Sequence, residues 1–350
     1  MNLVDRLAEP EGRINHCMTS VNEFLIIYGG RGYSLSTLLN GLWTYNTILG
    51  IWKRYRPPIK IAKVYYGSSI CAVGNKVYIF GGSCKRDTDH PTNSLISFDL
   101  SNATWKTLSG HNDEFDENMP SPMLNSFIFY HNGFIYVLGC SDHSILWVSM
   151  FKFCLKTSTW SYVNQRGQIP DLGDGIFGTV FKNRFYIFRG YAEAQQNRFE
   201  TIYIFDLSTN TWTSQATHET GQRYPDDRFD ESFAFSNNFG YLSGGENSDG
   251  YDPKIWMIDL ETLEWSLLNY TLEIGLVLHC TSVVDDSYLY SFGGVDDIFD
   301  NENILQRFKV RPATLYRICL ETIARSPNFS SFIAQVPPAI ANDLNLDKNL

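Results

Sequence analysis

Short apolar runs closed by a glycine pair recur along this 350-residue chain at a nearly constant interval. The clearest are Leu25-Ile26-Ile27-Tyr28-Gly29-Gly30, Val77-Tyr78-Ile79-Phe80-Gly81-Gly82, Gly240-Tyr241-Leu242-Ser243-Gly244-Gly245 and Tyr288-Leu289-Tyr290-Ser291-Phe292-Gly293-Gly294. Two altered copies, Ile135-Tyr136-Val137-Leu138-Gly139-Cys140 and Phe185-Tyr186-Ile187-Phe188-Arg189-Gly190, fill the gap, so that successive copies stand 49 to 58 residues apart. The runs are β-branched and aromatic and are bounded by Gly, Asn, Asp and Ser. No sustained helical period interrupts them between residues 13 and 310. Both features predict short strands separated by turns, and the fixed period predicts a repeat architecture.

A second landmark keeps the same beat. Trp52, Trp105, Trp160, Trp212 and Trp265 are spaced by 53, 55, 52 and 53 residues. Phe98-Asp99-Leu100-Ser101-Asn102-Ala103-Thr104-Trp105, Phe205-Asp206-Leu207-Ser208-Thr209-Asn210-Thr211-Trp212 and Ile258-Asp259-Leu260-Glu261-Thr262-Leu263-Glu264-Trp265 nearly superpose. With these landmarks the chain resembles the kelch repeat family over residues 13–310, in which each unit of about fifty residues forms one four-stranded propeller blade. The resemblance implies an all-β, six-bladed kelch β-propeller with a short α-helical tail. The expected organisation is an N-terminal segment (1–12, a possible closing strand), the propeller (13–310) and a helical tail (311–350). The glycine pairs suit turns and the close approach of tapering blades, and each tryptophan is expected to pack between neighbouring blades.

Blade 1 is predicted to use 13–20, 24–28, 39–46 and 52–55, and blade 6 to use 278–284, 288–292 and 304–310, with no tryptophan strand after them. An open inter-blade edge exposes unpaired backbone groups. Asn2 to Leu7 is the candidate to cover it, although short and poorly patterned, and the means of closure stays open.

Composition narrows the function. Hydrophobic residues make up 43% of the chain, enough for a large core. A net charge of -10 argues against a nucleic-acid or anionic-membrane surface. No run of eighteen apolar residues and no signal-peptide pattern occurs, so a soluble protein of the cytoplasm or nucleus is expected. Seven cysteines without C-x-x-C spacing suggest buried thiols rather than disulfides or zinc, and no cofactor is expected. The histidines do not pair at metal-ligand spacing, and neither a phosphate loop nor a Ser-His-Asp order is evident, so catalysis is not expected.

The tail carries the sharper signal. After Arg311-Pro312, residues 313–325 are predicted to form a helix, with Thr314 as N-cap and Glu321 and Arg325 as an i, i+4 pair. Leu315, Ile318, Cys319 and Ile323 form one apolar stripe, and periodicity alone suits a helix docked on the propeller's flank. The helix also resembles the elongin-binding BC box, with Leu315, Cys319 and Ile323 matching its contact positions. After a twelve-residue spacer, Ala324 to Gln335, Val336, Pro337, Ile340 and Leu344 resemble a cullin-2 box. Two such boxes, in this order, behind a kelch propeller resemble the kelch substrate receptors of cullin-2 ubiquitin ligases.

That resemblance implies a non-catalytic adaptor that binds elongin C with elongin B, cullin-2 and its RING subunit, and holds substrate protein C-termini in the propeller mouth. A carboxylate taken out of water needs charge-assisted donors. Arg31, Lys85, Arg86, Arg189 and Tyr191, at or just beyond the glycine-pair positions, are the candidates, although loop cations are also ordinary surface residues. The acidic run around Arg228 is expected to be an exposed loop. The competing class is a cytoskeletal or signalling kelch scaffold. A cullin-3 adaptor is not expected, because the residues before the first blade leave no room for a BTB domain.

Overall fold

A computed structural model describes residues 9–32, 39–58, 66–83, 90–140, 148–171, 174–191, 197–221, 223–296 and 303–326 of the chain. It forms a six-bladed propeller of antiparallel sheets. Blade 1 is the meander Cys17–Val21, Phe24–Tyr28, Leu42–Asn46 and Ile51–Tyr55. Blades 2 to 5 repeat it, starting from the inner strands Tyr66–Val73, Phe127–His131, Asp174–Phe181 and Ser232–Ser236. Among the described residues, blade 6 has three strands, Cys280–Val284, Tyr288–Phe292 and Leu305–Lys309. The inner strands neighbour one another around the ring, the first meeting the last. Asn2 to Leu7, the candidate closing strand, lies outside the described residues.

The meander fixes two faces. The first and second strands of each blade are joined by tight turns such as 21–24 and 236–239, and the third and fourth by turns such as 46–51, all at one face of the disc. The long connections between second and third strands, and those between blades, lie at the other. These are called here the turn face and the loop face.

The tryptophans fill five seams. Trp52 lies against Phe292 of blade 6 at 5.7 Å, Trp105 against Tyr28 of blade 1 at 6.1 Å, and Trp160 against Phe80 of blade 2 at 5.9 Å. Trp212 joins the cluster of Leu138 and Met150 in blade 3. Trp265, fully buried, meets Phe188 of blade 4 at 5.9 Å and donates its indole N–H to the Phe199 carbonyl at 3.1 Å. The seam between blades 5 and 6 has no tryptophan, because blade 6 has no fourth strand among the described residues. Tyr270 stacks on Phe308 there and donates to the Lys309 carbonyl at 3.0 Å.

The seam between blades 6 and 1 joins residues far apart in sequence. Gly294 N–H donates to the Arg13 carbonyl at 2.9 Å, Ser20 Oγ to the Val283 carbonyl at 2.6 Å, and Cys280 Sγ to the His16 carbonyl at 3.1 Å. His16 is held between the glycine pairs of both blades. A Cβ on Gly30 (φ +100°) would lie 2.9 Å from the His16 Cβ, and one on Gly293 (φ +72°) 2.7 Å from its Cε1. Its counterpart His279 meets Ser243 Oγ at 2.9 Å.

Burial drives the pKa of both imidazoles down to about 3, with Arg13 adding repulsion at His16. Folded, they are neutral; unfolded, they titrate near 6.5, so below that value unfolding takes up protons. Their contribution is therefore complete above pH 6.5 and is lost as pH falls towards about 3. Urea midpoints measured across this window should fall by the equivalent of roughly 1.4 kcal/mol per pH unit for each histidine. The double variant His16→Asn/His279→Asn should show a visibly flatter profile, and an unchanged slope would contradict this account.

Candidate functional site

Past the strand Leu305–Lys309, the described residues form one helix, α1 (Leu315–Ala324). Thr314 caps it, its hydroxyl accepting from Arg317 N–H at 3.1 Å and donating to Asp285 of the blade 6 inner turn at 3.0 Å. The cap satisfies one of the orphan donors of the first turn and ties it to the propeller. Arg325 pairs with Glu321 at 3.2 Å, as the spacing predicts.

The propeller grips α1 through an arginine. The Arg317 side chain is fully buried and donates to the Glu23 carboxylate in the blade 1 inner turn. It also donates to Thr47 Oγ1 at 2.7 Å and the Thr47 carbonyl at 3.0 Å in the outer turn, and to Glu321 at 3.0 Å. Its guanidinium lies over the Tyr288 ring of blade 6, 5.1 Å from the centroid. Burial pulls the Arg317 pKa down; Glu23 and Glu321 pull harder, holding it above its ordinary value. Leu320 is buried beside it. The helix thus clasps the seam between blades 6 and 1 at the turn face.

With Arg317 and Leu320 turned inwards, the apolar stripe faces out. Leu315 is 82% exposed, Ile318 is 48% exposed, Cys319 is exposed and Ile323 is half-buried. A helix docked through that stripe is therefore not what forms; a charged side chain does the docking. Tyr316, half-exposed, reaches the turn-face mouth of the channel, where it lines a cavity of about 500 Å³ with Asn22, Phe235 and Asp286. Val336, Pro337, Ile340 and Leu344 lie outside the described residues.

At the loop face, Arg31 forms an antiparallel bridge with Ile14, and its guanidinium lies over Tyr66 of blade 2 at 5.3 Å. Arg54, which the repeat pattern does not single out, lies over Trp43 at 5.4 Å and donates to the Asn40 carbonyl at 3.2 Å. In both, Nε is buried without a hydrogen-bond partner, and neither has a carboxylate partner among the described residues. Arg13, also buried, donates to the Gly29 carbonyl at 2.9 Å, and burial lowers its pKa to about 10. Blade 1 therefore gathers three arginines; Arg31 and Arg54 have no carboxylate partner among the described residues, while the charge of Glu11 acts on Arg13. Arg189 and Tyr191 belong to the strand Arg184–Tyr191, paired with Ile176 and Asp174, rather than to a loop beyond it. Lys85 and Arg86 lie outside the described residues.

The acidic run around Arg228 is only partly the exposed loop that its composition suggests. Asp226 and Asp230 are exposed, but Arg228 and Glu231 are buried. Arg198, from the preceding blade, pairs with Asp227 at 2.8 Å and Glu231 at 2.7 Å, while Arg228 pairs with Asp252 at 3.0 Å and donates to the Gly244 carbonyl at 2.9 Å. Every one of these contacts is within the propeller, which marks the network as structural. Among the described residues, no group of His, Cys, Asp or Glu is arranged to hold a metal ion, and no helix is long and apolar enough to cross a membrane.

Breaking a buried ion pair from one side typically costs about 3–5 kcal/mol, and Glu321 remains to compensate Arg317 in part. Glu23→Ala is expected to cost about 3 kcal/mol and to raise amide exchange throughout α1 while the blade cores stay protected. Unaltered exchange in 315–324 would mean that other contacts hold the helix.

The profile of the KLHDC2/KLHL20/DRC7 Kelch-repeats domain matches residues 5–188 and 148–329. Kelch domain-containing protein 10 of Rattus norvegicus is 24% identical over 340 residues, covering 92% of this chain and 82% of its own. The Homo sapiens protein of that name is 24% identical, with 92% and 76% covered. Kelch domain-containing protein 1 of Mus musculus is also 24% identical, with 94% and 88% covered. The solved structure of YjhT aligns with a TM-score of 0.62 at 15% identity, covering 87% of this chain and 97% of its own, a likeness of fold. The chain belongs to the KLHDC2/KLHL20/DRC7 Kelch-repeats domain family, whose propellers are interaction modules.

Proposed function

We propose that this protein is a non-catalytic substrate receptor that joins a bound protein to an elongin B/C–cullin-2 RING ubiquitin ligase. The observation that carries the proposal is the outward apolar stripe of α1, on a helix that Arg317 anchors rigidly. Leu315 and Cys319, two of the three positions by which the helix resembles a BC box, are exposed with Ile318 beside them, and the third, Ile323, is half-buried. An apolar side chain as exposed as Leu315 gains about 1.5–3 kcal/mol on entering a pocket, and an anchored helix loses little freedom on binding. Tail residues 336, 337, 340 and 344 then meet cullin-2.

Substrate is taken at the opposite face. Attachment at the turn face leaves the loop face free, and there Arg31 and Arg54, without carboxylate partners among the described residues, and the neighbouring Arg13 offer positive charge in a protein of net charge -10. That chemistry suits the carboxylate of a protein C-terminus. The receptor performs no bond chemistry; it raises the local concentration of substrate lysines near the conjugating enzyme, in the nucleus or cytoplasm.

Tagged protein expressed in cells is expected to retrieve elongin B/C, and Leu315→Asp to lose that retrieval without loss of thermal stability, since Leu315 is 82% exposed. Equal retrieval by the variant, or none by the parent, would leave a kelch scaffold outside any ligase as the better account. Peptides recovered from a C-terminal library should bind at least about tenfold more weakly once amidated, and Arg31→Ala should abolish the difference. Indifference to amidation would rule out recognition of the chain end.

A further inference from the structure

The connection from blade 2 to blade 3 forms a second surface, independent of the helix and of the arginines. It is pinned at both ends. His111 Nδ1 lies 3.1 Å from both Thr92 Oγ1 and Asn93 Oδ1, and buried Asn93 donates to the Asn112 and Pro120 carbonyls at 2.9 Å each. Met123 bridges to Thr92 beyond them. Between these anchors Phe115 is 89% exposed. A single exposed apolar residue is ordinary; a phenylalanine held out on a pinned loop beside an aromatic groove is not. With Met119, Phe151 and Tyr162 it lines a groove of about 470 Å³ on the outer rim of the loop face. Tyr162 is 48% exposed, and its ring meets Phe151 edge-on at 5.4 Å.

Charge identifies the occupant. Asp113, Glu114, Asp116 and Glu117 flank Phe115, all exposed, and the sequence contains no lysine or arginine from Thr107 to Phe151. Asp113 meets His111 Nε2 at 3.0 Å, and Asp116 caps the Asn118 N–H at 2.8 Å. A second copy would bring a net charge of -10 against these carboxylates, and a nucleic acid or anionic membrane would be repelled in the same way.

We propose that this groove docks a basic linear segment of a partner protein, which seats one apolar side chain between Phe115 and Tyr162 and sets flanking lysines or arginines against the four carboxylates. The apolar seat supplies affinity and the acidic rim supplies selectivity and fast encounter.

The test uses the full chain and a short fluorescein-labelled peptide with one leucine between two lysine pairs in a glycine-serine background, read by fluorescence anisotropy. Saturable binding is expected, weakened at least about tenfold by Phe115→Ala, by Glu114→Lys/Glu117→Lys, and by replacing the peptide's leucine with serine. Thermal unfolding should be unchanged in these variants, since all three side chains are exposed. Three results each overturn the proposal: no binding, equal binding by Phe115→Ala, or equal binding of the serine peptide. The last would reduce the effect to net-charge attraction.

Discussion

A ring built from one chain must close on itself without covalent help, and here that requirement falls on the joint between blades 6 and 1. Five seams are filled by a tryptophan from the outer strand of one blade. At the joint, Trp52 of blade 1 does the same for blade 6, which among the described residues has three strands. Helix α1 lies beneath, with Thr314 on Asp285 of blade 6 and Arg317 on Glu23 and Thr47 of blade 1. Such a pair contributes less net stability than its attraction suggests, because both ions lose water; its value lies in fixing geometry. An arginine satisfied by two turns and a neighbouring glutamate has few other places to go.

That geometry separates the two faces. The anchored helix occupies the turn face and directs its apolar stripe outwards, while the blade 1 arginines and the Phe115 groove lie at the loop face. A partner bound at one face need not compete with one bound at the other. The Arg198–Arg228 network keeps the mouth of blades 4 and 5 rigid without offering a site of its own.

The blades were legible because their signals are local. A strand, a glycine pair and a tryptophan recur within each unit, and each reports on its own neighbourhood; the strands 24–28 and 288–292 were readable to the residue. The capped helix was legible for the same reason, Thr314 and the Glu321–Arg325 spacing being local devices. The direction in which it faces was not. Arginine is usually a surface residue, and the partner that makes burial of Arg317 tolerable stands 294 positions away. The burial of Arg228 and Glu231 was hidden likewise, since Arg198 compensates Glu231 across a blade boundary and Asp252 compensates Arg228 from the far side of a hairpin strand. Local pattern finds elements; the compensation of buried charge is a property of the closed ring.

The separation of Glu23 from Arg317 also has a consequence in time. A ribosome adding roughly 5–20 residues per second needs about 15–60 s to cover the 294 positions between them. For that interval the first blade waits without Arg317 on its Glu23 carboxylate and with an unpacked flank, while the later blades emerge and stack beside it. The nascent chain is then an open arc with one sticky end, the period in which a chaperone, or a neighbouring nascent chain, has most opportunity to occupy the flank that α1 finally covers.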